Sequence, residues 1–493
     1  MLDQTESLQH PTPPTSAVTV PVTIPVPGGA WVNDVHSRLN ATRVQRVEQP
    51  DCVARLQSAI HRARREQQPV SIAAGRGAMG GQQFGSGGTL IDMSALDAVI
   101  AFDRRAGTIE VGAGIQWPEL IRYLYEAQFG EESPWGIIQK QTGGDRLSIG
   151  GSLAANAHGR GLDFKPMVAD VEAFTLVDAD GRLRRCSRSE HPDLFRLAIG
   201  GYGLFGVIAS VTLRLAPRQR LQRCVEIVAA DELPGRFQER IDAGFRYGDF
   251  QFCTHPGYDA FLNQGVFSCY RPVSVDTPPA GSQKVLAEQD WLELLRLAHV
   301  DKARAWEMYA HYYLSTDGQL YWSDTHQLST YIDDYHQRLG DHIGCQQHGS
   351  EMITEIYVPR DALPAFLNDV REDFRRYNVD LIYGTIRLIR RDDETFLAWA
   401  KQDYACIIFN LHTQHTPAAL QKTQTDFRRL IERGIRYRGS YYLTYHRWAT
   451  PEQVQTCYPQ FREFLRLKKH HDPEERFQSD WYRHYRATFA EPE

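Results

Sequence analysis

From Gly75 to Gly88 the chain reads Gly-Arg-Gly-Ala-Met-Gly-Gly-Gln-Gln-Phe-Gly-Ser-Gly-Gly. Apolar runs lead in at residues 69–74 and out at residues 89–93. Main chain this bare approaches another group closely and adopts conformations closed to other residues. Its successive N–H groups also form a nest for an anion such as a phosphate. Taken alone, the loop reads equally well as a turn between two strands. A second stretch of the same kind removes that balance: residues 142–161 read Thr-Gly-Gly-Asp-Arg-Leu-Ser-Ile-Gly-Gly-Ser-Leu-Ala-Ala-Asn-Ala-His-Gly-Arg-Gly. A third, Gly-Gly-Tyr-Gly-Leu-Phe-Gly, spans residues 200–206. Small residues at this density mean backbone packed against something flat or against another backbone.

At 493 residues the chain exceeds one ordinary core, so at least two domains are expected. A hydrophobic fraction of 42% and a charged fraction of 24% are those of a globular protein. The net charge of −6 comes without the basic block that nucleic-acid binding requires. No apolar run is long enough for a membrane span, and the first residues do not read as a signal peptide. Eight cysteines without CxxC spacing argue against a structural metal site or a disulfide framework, and point to a reducing cytoplasm.

Along the chain, residues 1–29 are rich in Pro, Thr and Val and read as an extended or disordered tail, with order beginning near Trp31. Val53, Leu56 and Ile60 form a helical stripe after Asp51, an expected N-cap. Strands are expected at residues 70–74, 98–102, 108–111 and 207–215, with a hairpin of residues 171–179 and 183–187 about Asp180-Gly181. Trp117, Leu120, Ile121 and Leu124 mark the inward face of a helix with Pro118 in its first turn. After Pro217 glycine loops become scarce and aromatics dense. Strand-like runs recur at residues 224–228, 249–254, 265–270, 352–358, 381–389 and 405–411, with helical runs at 286–297, 362–377 and 417–433 between them. That pattern predicts a mixed or antiparallel sheet flanked by helices. The last part predicts a strand over 441–445, a helix over 451–467 and a tail.

The three glycine-rich segments, in this order and spacing, resemble the vanillyl-alcohol-oxidase/p-cresol-methylhydroxylase superfamily of flavoproteins. The segment Asp472-Pro-Glu-Glu-Arg-Phe-Gln-Ser-Asp resembles the closing segment of its sugar, lactone and decaprenylphosphoryl-ribose oxidase branch. The resemblance implies an α+β fold: an FAD-binding domain in two parts, residues 30–217 and 439–493, with a central cap domain over 218–438. It implies FAD as cofactor. Gly75, Arg76, Gly77, Ala78, Met79, Gly80 and Gln82 would hold the pyrophosphate. Thr142, Gly143, Gly144, Asp145, Ser148, Gly150, Gly151 and Ser152 would line the isoalloxazine and ribityl groups. Asn156, His158 and Gly159 would flank the ring, and Gly201, Gly206 and Ile208 would meet its edge and the adenine side. Many relatives carry a flavin-linked histidine where this chain has Gly77, and no cysteine lies between Val53 and Arg185 to replace it. The implied FAD is therefore non-covalent.

Flavin oxidation of an alcohol needs the C–H bond over flavin N5 and a base near the hydroxyl. Tyr445 and His446 stand where sugar-oxidising relatives place a substrate-facing lysine. His158 is a second candidate for the proton, and Arg160 for an anionic group. Arg387 alternates with Thr385 and Ile389 on one face of a strand, with Glu355 its expected partner. Asn410 and His412 alternate likewise and are candidates for substrate hydroxyls. Each has a bland alternative: an ordinary strand residue, a satisfied histidine, a cross-strand pair. The resulting expectation is an enzyme that takes a hydride from a CH–OH carbon of a small organic substrate, with oxygen or another electron acceptor. Oxidation at C–N, redox at C–C, or a flavin-binding scaffold without turnover stay open.

Overall fold

The computed structural model describes residues 23–279, 281, 283–330, 338–340 and 348–490. Among the described residues, four sheets and the helices packed on them make an α+β fold. The expected tail is structured in its last part: Thr23–Val26 pairs antiparallel with Gly29–Val32, so order starts before Trp31. Residues 1–22 lie outside the described residues.

Helix Val53–Arg65 buries Leu56, Ala59, Ile60 and Ala63. It connects strands of a three-stranded parallel sheet ordered Arg46–Glu48, Thr89–Asp92, Val70–Ala73. A parallel pair needs such a crossover, and here it delivers the first glycine loop to the C-terminal end of Val70–Ala73. Asp51 does not cap this helix. Cys52 occupies the N-cap without a side-chain bond, and Asp51 instead pairs with Arg55 at 2.6 Å, one turn on.

An antiparallel sheet follows, ordered Leu183–Ser187, Val171–Val177, Val207–Pro217, Thr108–Gly112, Val99–Asp103. Helix Trp117–Ala127 buries the four expected residues, Trp117, Leu120, Ile121 and Leu124. Burying that apolar stripe, rather than helix propensity, holds such a short helix in place.

The largest sheet has eight strands, ordered Leu320–Trp322, Arg220–Ala229, Gln264–Val273, Tyr247–Phe252, Leu381–Ile389, Tyr404–Gln414, Gly349–Pro359, Ser440–Tyr441. Every pairing in it is antiparallel. Helices Leu363–Arg376 and Pro417–Arg436 cover one face, where Phe366 and Phe374 meet Phe409. The other face turns toward the glycine loops. Among the described residues, helices Leu233–Asp242, Lys302–Leu314, Ile149–Ala154 and Asp480–Thr488 were not expected.

The C-terminal expectations need correction. The strand stops at Tyr441, and residues 442–450 run as turns and bends. The single helix is two, Pro451–Cys457 and Phe461–His471, because Pro459 between them has no N–H to continue the ladder. The chain then returns to the first sheet. Val70 donates to the Arg476 carbonyl at 2.7 Å, and Gln478 donates back to Val70 at 2.8 Å.

Candidate active site

The first two glycine loops close on each other. A Cβ at Gly75 would stand 2.2 Å from the Arg146 carbonyl oxygen, and one at Gly77 only 2.3 Å from Leu147 Cδ2, so the loops can approach only as glycine. Between them and the open face of the eight-stranded sheet lies a cavity of about 1060 Å³. That is at the upper end of ligand-pocket volumes, room for a dinucleotide and a further small molecule.

The residues present fit FAD. The main-chain N–H groups of Gly77 and Ala78, both on the cavity wall, find no protein acceptor among the described residues, which leaves two successive donors for a diphosphate. Of the residues expected at the cofactor, Gly75, Arg76, Gly77, Ala78, Gln82, Thr142, Gly143, Gly144, Ser148, Gly150, Gly151, Ser152 and Ile208 line the cavity. Arg76 brings no free charge: Asp92 pairs with it at 2.7 Å. Gln82 ties the loop to the C-terminal segment by donating to the carbonyls of Leu443 and Thr444.

Met79, Gly80, Asp145, Asn156, His158, Gly159, Gly201 and Gly206 lie behind the wall. Asp145 pairs with the buried Lys140 at 2.5 Å and accepts from the Ser329 N–H. Burial pushes the Lys140 ammonium down, and Asp145 opposes that shift. Asn156, at φ +49°, donates to Asp392 and accepts from Val168 N–H. The Met79 carbonyl accepts from Asn40 at 2.7 Å.

On the sheet face, Ile353, Tyr383, Arg387, Ile408 and Asn410 line the cavity, with Asp249 and Gln251 beside them. The antiparallel register sets Asn410 opposite both Ile353 and Tyr383. Arg387 does not pair with Glu355. Among the described residues no carboxylate lies within salt-bridge distance of it, and its buried Nε and Nη1 make no hydrogen bond. Asn410 Oδ1 and Arg160 Nε are also unpartnered. Buried polar atoms left unmatched are costly, so they mark where a ligand's own polar groups belong. Thr385 does not share this role, since its hydroxyl donates to the Phe250 carbonyl.

Glu355 pairs with His158 instead, Oε1 to Nε2 at 2.7 Å, both side chains wholly buried. His158 Nδ1 also meets the Gly159 carbonyl at 3.2 Å. Glu355 Oε2 has no partner. Cys406 lies near this pair, its thiol pushed well up by burial.

Tyr445 lines the cavity; burial, then the neighbouring Glu355, push its phenol well above its ordinary range, against the opposing Arg387. It is a neutral donor near pH 7, not the phenolate base the sequence allowed. His446 turns away from the cavity. It accepts the Trp448 N–H on Nδ1, meets Thr354 Oγ1 with Nε2 at 3.2 Å, and is packed by Phe427 and Trp448. His412 is also outside the wall and meets Glu351.

The sequence reading missed an aromatic wall: Tyr309, Tyr312 and Tyr313 on helix Lys302–Leu314, with Tyr321 and Trp322. The spacing of Tyr309, Tyr312 and Tyr313 was the signal for it, three and four residues apart on one helical face. Tyr202, Tyr442 and His36 were also missed as lining residues.

Residues 44–187 match a protein family described as FAD binding domain. The rice mitochondrial L-galactono-1,4-lactone dehydrogenase 2 (Oryza sativa subsp. japonica) is 28% identical over 209 residues, 41% of this chain and 34% of its own. The L-gulono-1,4-lactone dehydrogenase of Mycobacterium tuberculosis (strain ATCC 25618 / H37Rv) is 24% identical over 396 residues, 80% of this chain and 85% of its own. The decaprenylphosphoryl-beta-D-ribose oxidase of Mycolicibacterium smegmatis is 22% identical over 455 residues, 88% and 92% of the two chains. The chain thus spans about a third of the plant relatives, 34% of their length, and most of the mycobacterial ones.

Proposed function

We propose, for a chain whose residues 44–187 match the FAD binding domain family, an FAD-dependent oxidoreductase that oxidises a CH–OH group of a small polar organic molecule. The observation that carries this reading is the row of unmatched polar atoms on the sheet face, Arg387 Nε and Nη1 and Asn410 Oδ1, opposite the glycine loops. The relatives named for lactone and sugar oxidation support the same substrate class.

The Gly75–Ala78 loop would hold FAD, which would supply the two-electron acceptor. Arg387 and Asn410 orient the substrate's oxygens on the sheet face. Tyr445 accepts a hydrogen bond from the reacting hydroxyl and takes up its proton as the phenol's own proton passes to Glu355 Oε2. His158 holds Glu355 in place through the Nε2–Oε1 contact. The aromatic wall excludes water and accepts a ring-bearing substrate. We further propose that FAD is non-covalent, because Gly77 offers no atom for a bond. The seven described cysteines, all free thiols, support a reducing cytoplasm as the protein's place.

The test is anaerobic mixing of the yellow holoprotein with sugar lactones, alditols and aromatic alcohols. Bleaching of the flavin by one of these supports the reading. Reduction by amines or alkene donors alone would replace it with C–N or C–C chemistry, and no reduction by any donor would leave a scaffold.

A further inference from the structure

His412 lies one rung beyond the cavity wall. Glu351 and His412 are direct partners in the register of Gly349–Pro359 with Tyr404–Gln414, and Ile353 and Asn410 are the next pair on the same face. His299 reaches the same point from helix Glu288–Val300, one turn after Leu295, which itself lines the cavity. One nitrogen of each histidine and one Glu351 oxygen all lie within 4.8 Å of one another. His299 Nε2 and His412 Nδ1 each stand 3.3 Å from Glu351 Oε1. The His299 side chain is 5% exposed, and its Nε2 makes no hydrogen bond.

Those separations decide the chemistry. Ligand atoms about 2.0–2.2 Å from a tetrahedral zinc ion are about 3.4 Å apart, edge to edge. His412 Nδ1 and Glu351 Oε1 meet at 3.3 Å as a long hydrogen bond, whereas His158 and Glu355 are drawn in to 2.7 Å, with no room for an ion. Two imidazoles and a carboxylate suit zinc and its borderline neighbours, and leave a fourth position for water. The His412 side chain is 20% exposed, which gives an ion a way in.

We propose that His299, Glu351 and His412 bind one divalent transition-metal ion of the zinc class. The ion joins helix Glu288–Val300 to the ends of two strands, and so fixes Trp291 and Leu295 on the cavity wall. The role is positional and does not depend on the identity of the oxidised substrate.

The experiment uses the full-length holoprotein, stripped with EDTA, re-equilibrated with zinc chloride, and freed of excess ion by gel filtration. Zinc is counted by mass spectrometry and FAD by absorbance. About one zinc per chain is expected, with a zinc-dependent rise in Tm that EDTA reverses. His299→Ala and Glu351→Gln should lose the bound zinc while keeping the FAD-to-protein ratio. His470→Ala, in the exposed part of the His470-His471 pair, should keep it. If His299→Ala does not fold, the size-conserving Glu351→Gln decides. No retained zinc, or zinc retained equally in the folded variants, overturns the site and leaves His412 hydrogen-bonded to Glu351 with His299 beside them.

Discussion

His446 should make this protein acid-sensitive, and its share can be isolated. The imidazole is 2% exposed, and burial alone brings its pKa from 6.5 to about 3. The unfolded chain therefore takes up a proton near pH 6.5 that the native state refuses until about pH 3. Protons bound by the unfolded state alone lower stability as pH falls, so the loss begins below pH 6.5 and grows down to about pH 3. At pH 5 the group sits about 1.5 units below its unfolded pKa. At 1.36 kcal/mol per unit this is a loss of about 2 kcal/mol relative to pH 7. Urea unfolding of holoprotein and of His446→Gln at both pH values measures it. The variant should be weaker at pH 7, because Thr354 and the Trp448 N–H lose a shaped partner, by about 1–3 kcal/mol. From pH 7 to pH 5, however, it should lose about 2 kcal/mol less than the wild type. His326, likewise buried and pushed well below its usual range, keeps its own acid sensitivity in both proteins. Parallel stability curves for variant and wild type would refute the reasoning.

Three further outcomes follow from the site. Tyr445→Phe should slow anaerobic flavin reduction about 10²–10⁴-fold while FAD stays bound, since the phenol acts on the proton and not on the cradle; equal loss of rate and FAD would make it structural. Gly75→Ala should reduce FAD retention without lowering the rate of the loaded fraction. Its Cβ meets the Arg146 carbonyl oxygen at 2.2 Å and forces the two loops apart, a clash that FAD-to-protein ratio and Tm will register. Acid precipitation should release all the colour to the supernatant; colour in the pellet contradicts the Gly77 argument and turns attention to His36, whose Cδ2 is 3.8 Å from where a Gly77 Cβ would stand.

The glycine loops were legible because their property is local. Residues 75–80 and 142–152 can be read as bare main chain from composition alone, and the structure puts most of them on one cavity. Helix Trp117–Ala127 was legible for a similar reason, its apolar spacing matching one face of a helix. The strand expected over 441–445 failed because apolar and aromatic residues in a row do not distinguish a strand from a buried turn.

The sequence by itself determined where bare main chain lies, since an absent side chain means the same in any neighbourhood. Only the tertiary structure decided which polar side chains face the cavity. Tyr445 and His446 are adjacent, yet one lines the site and the other is sealed against Phe427 and Trp448. Glu355 and His158 meet across 197 residues, and Arg387 is left without the partner its strand suggested. Orientation on a turn and register between strands are fixed by packing, and packing is a property of the whole fold.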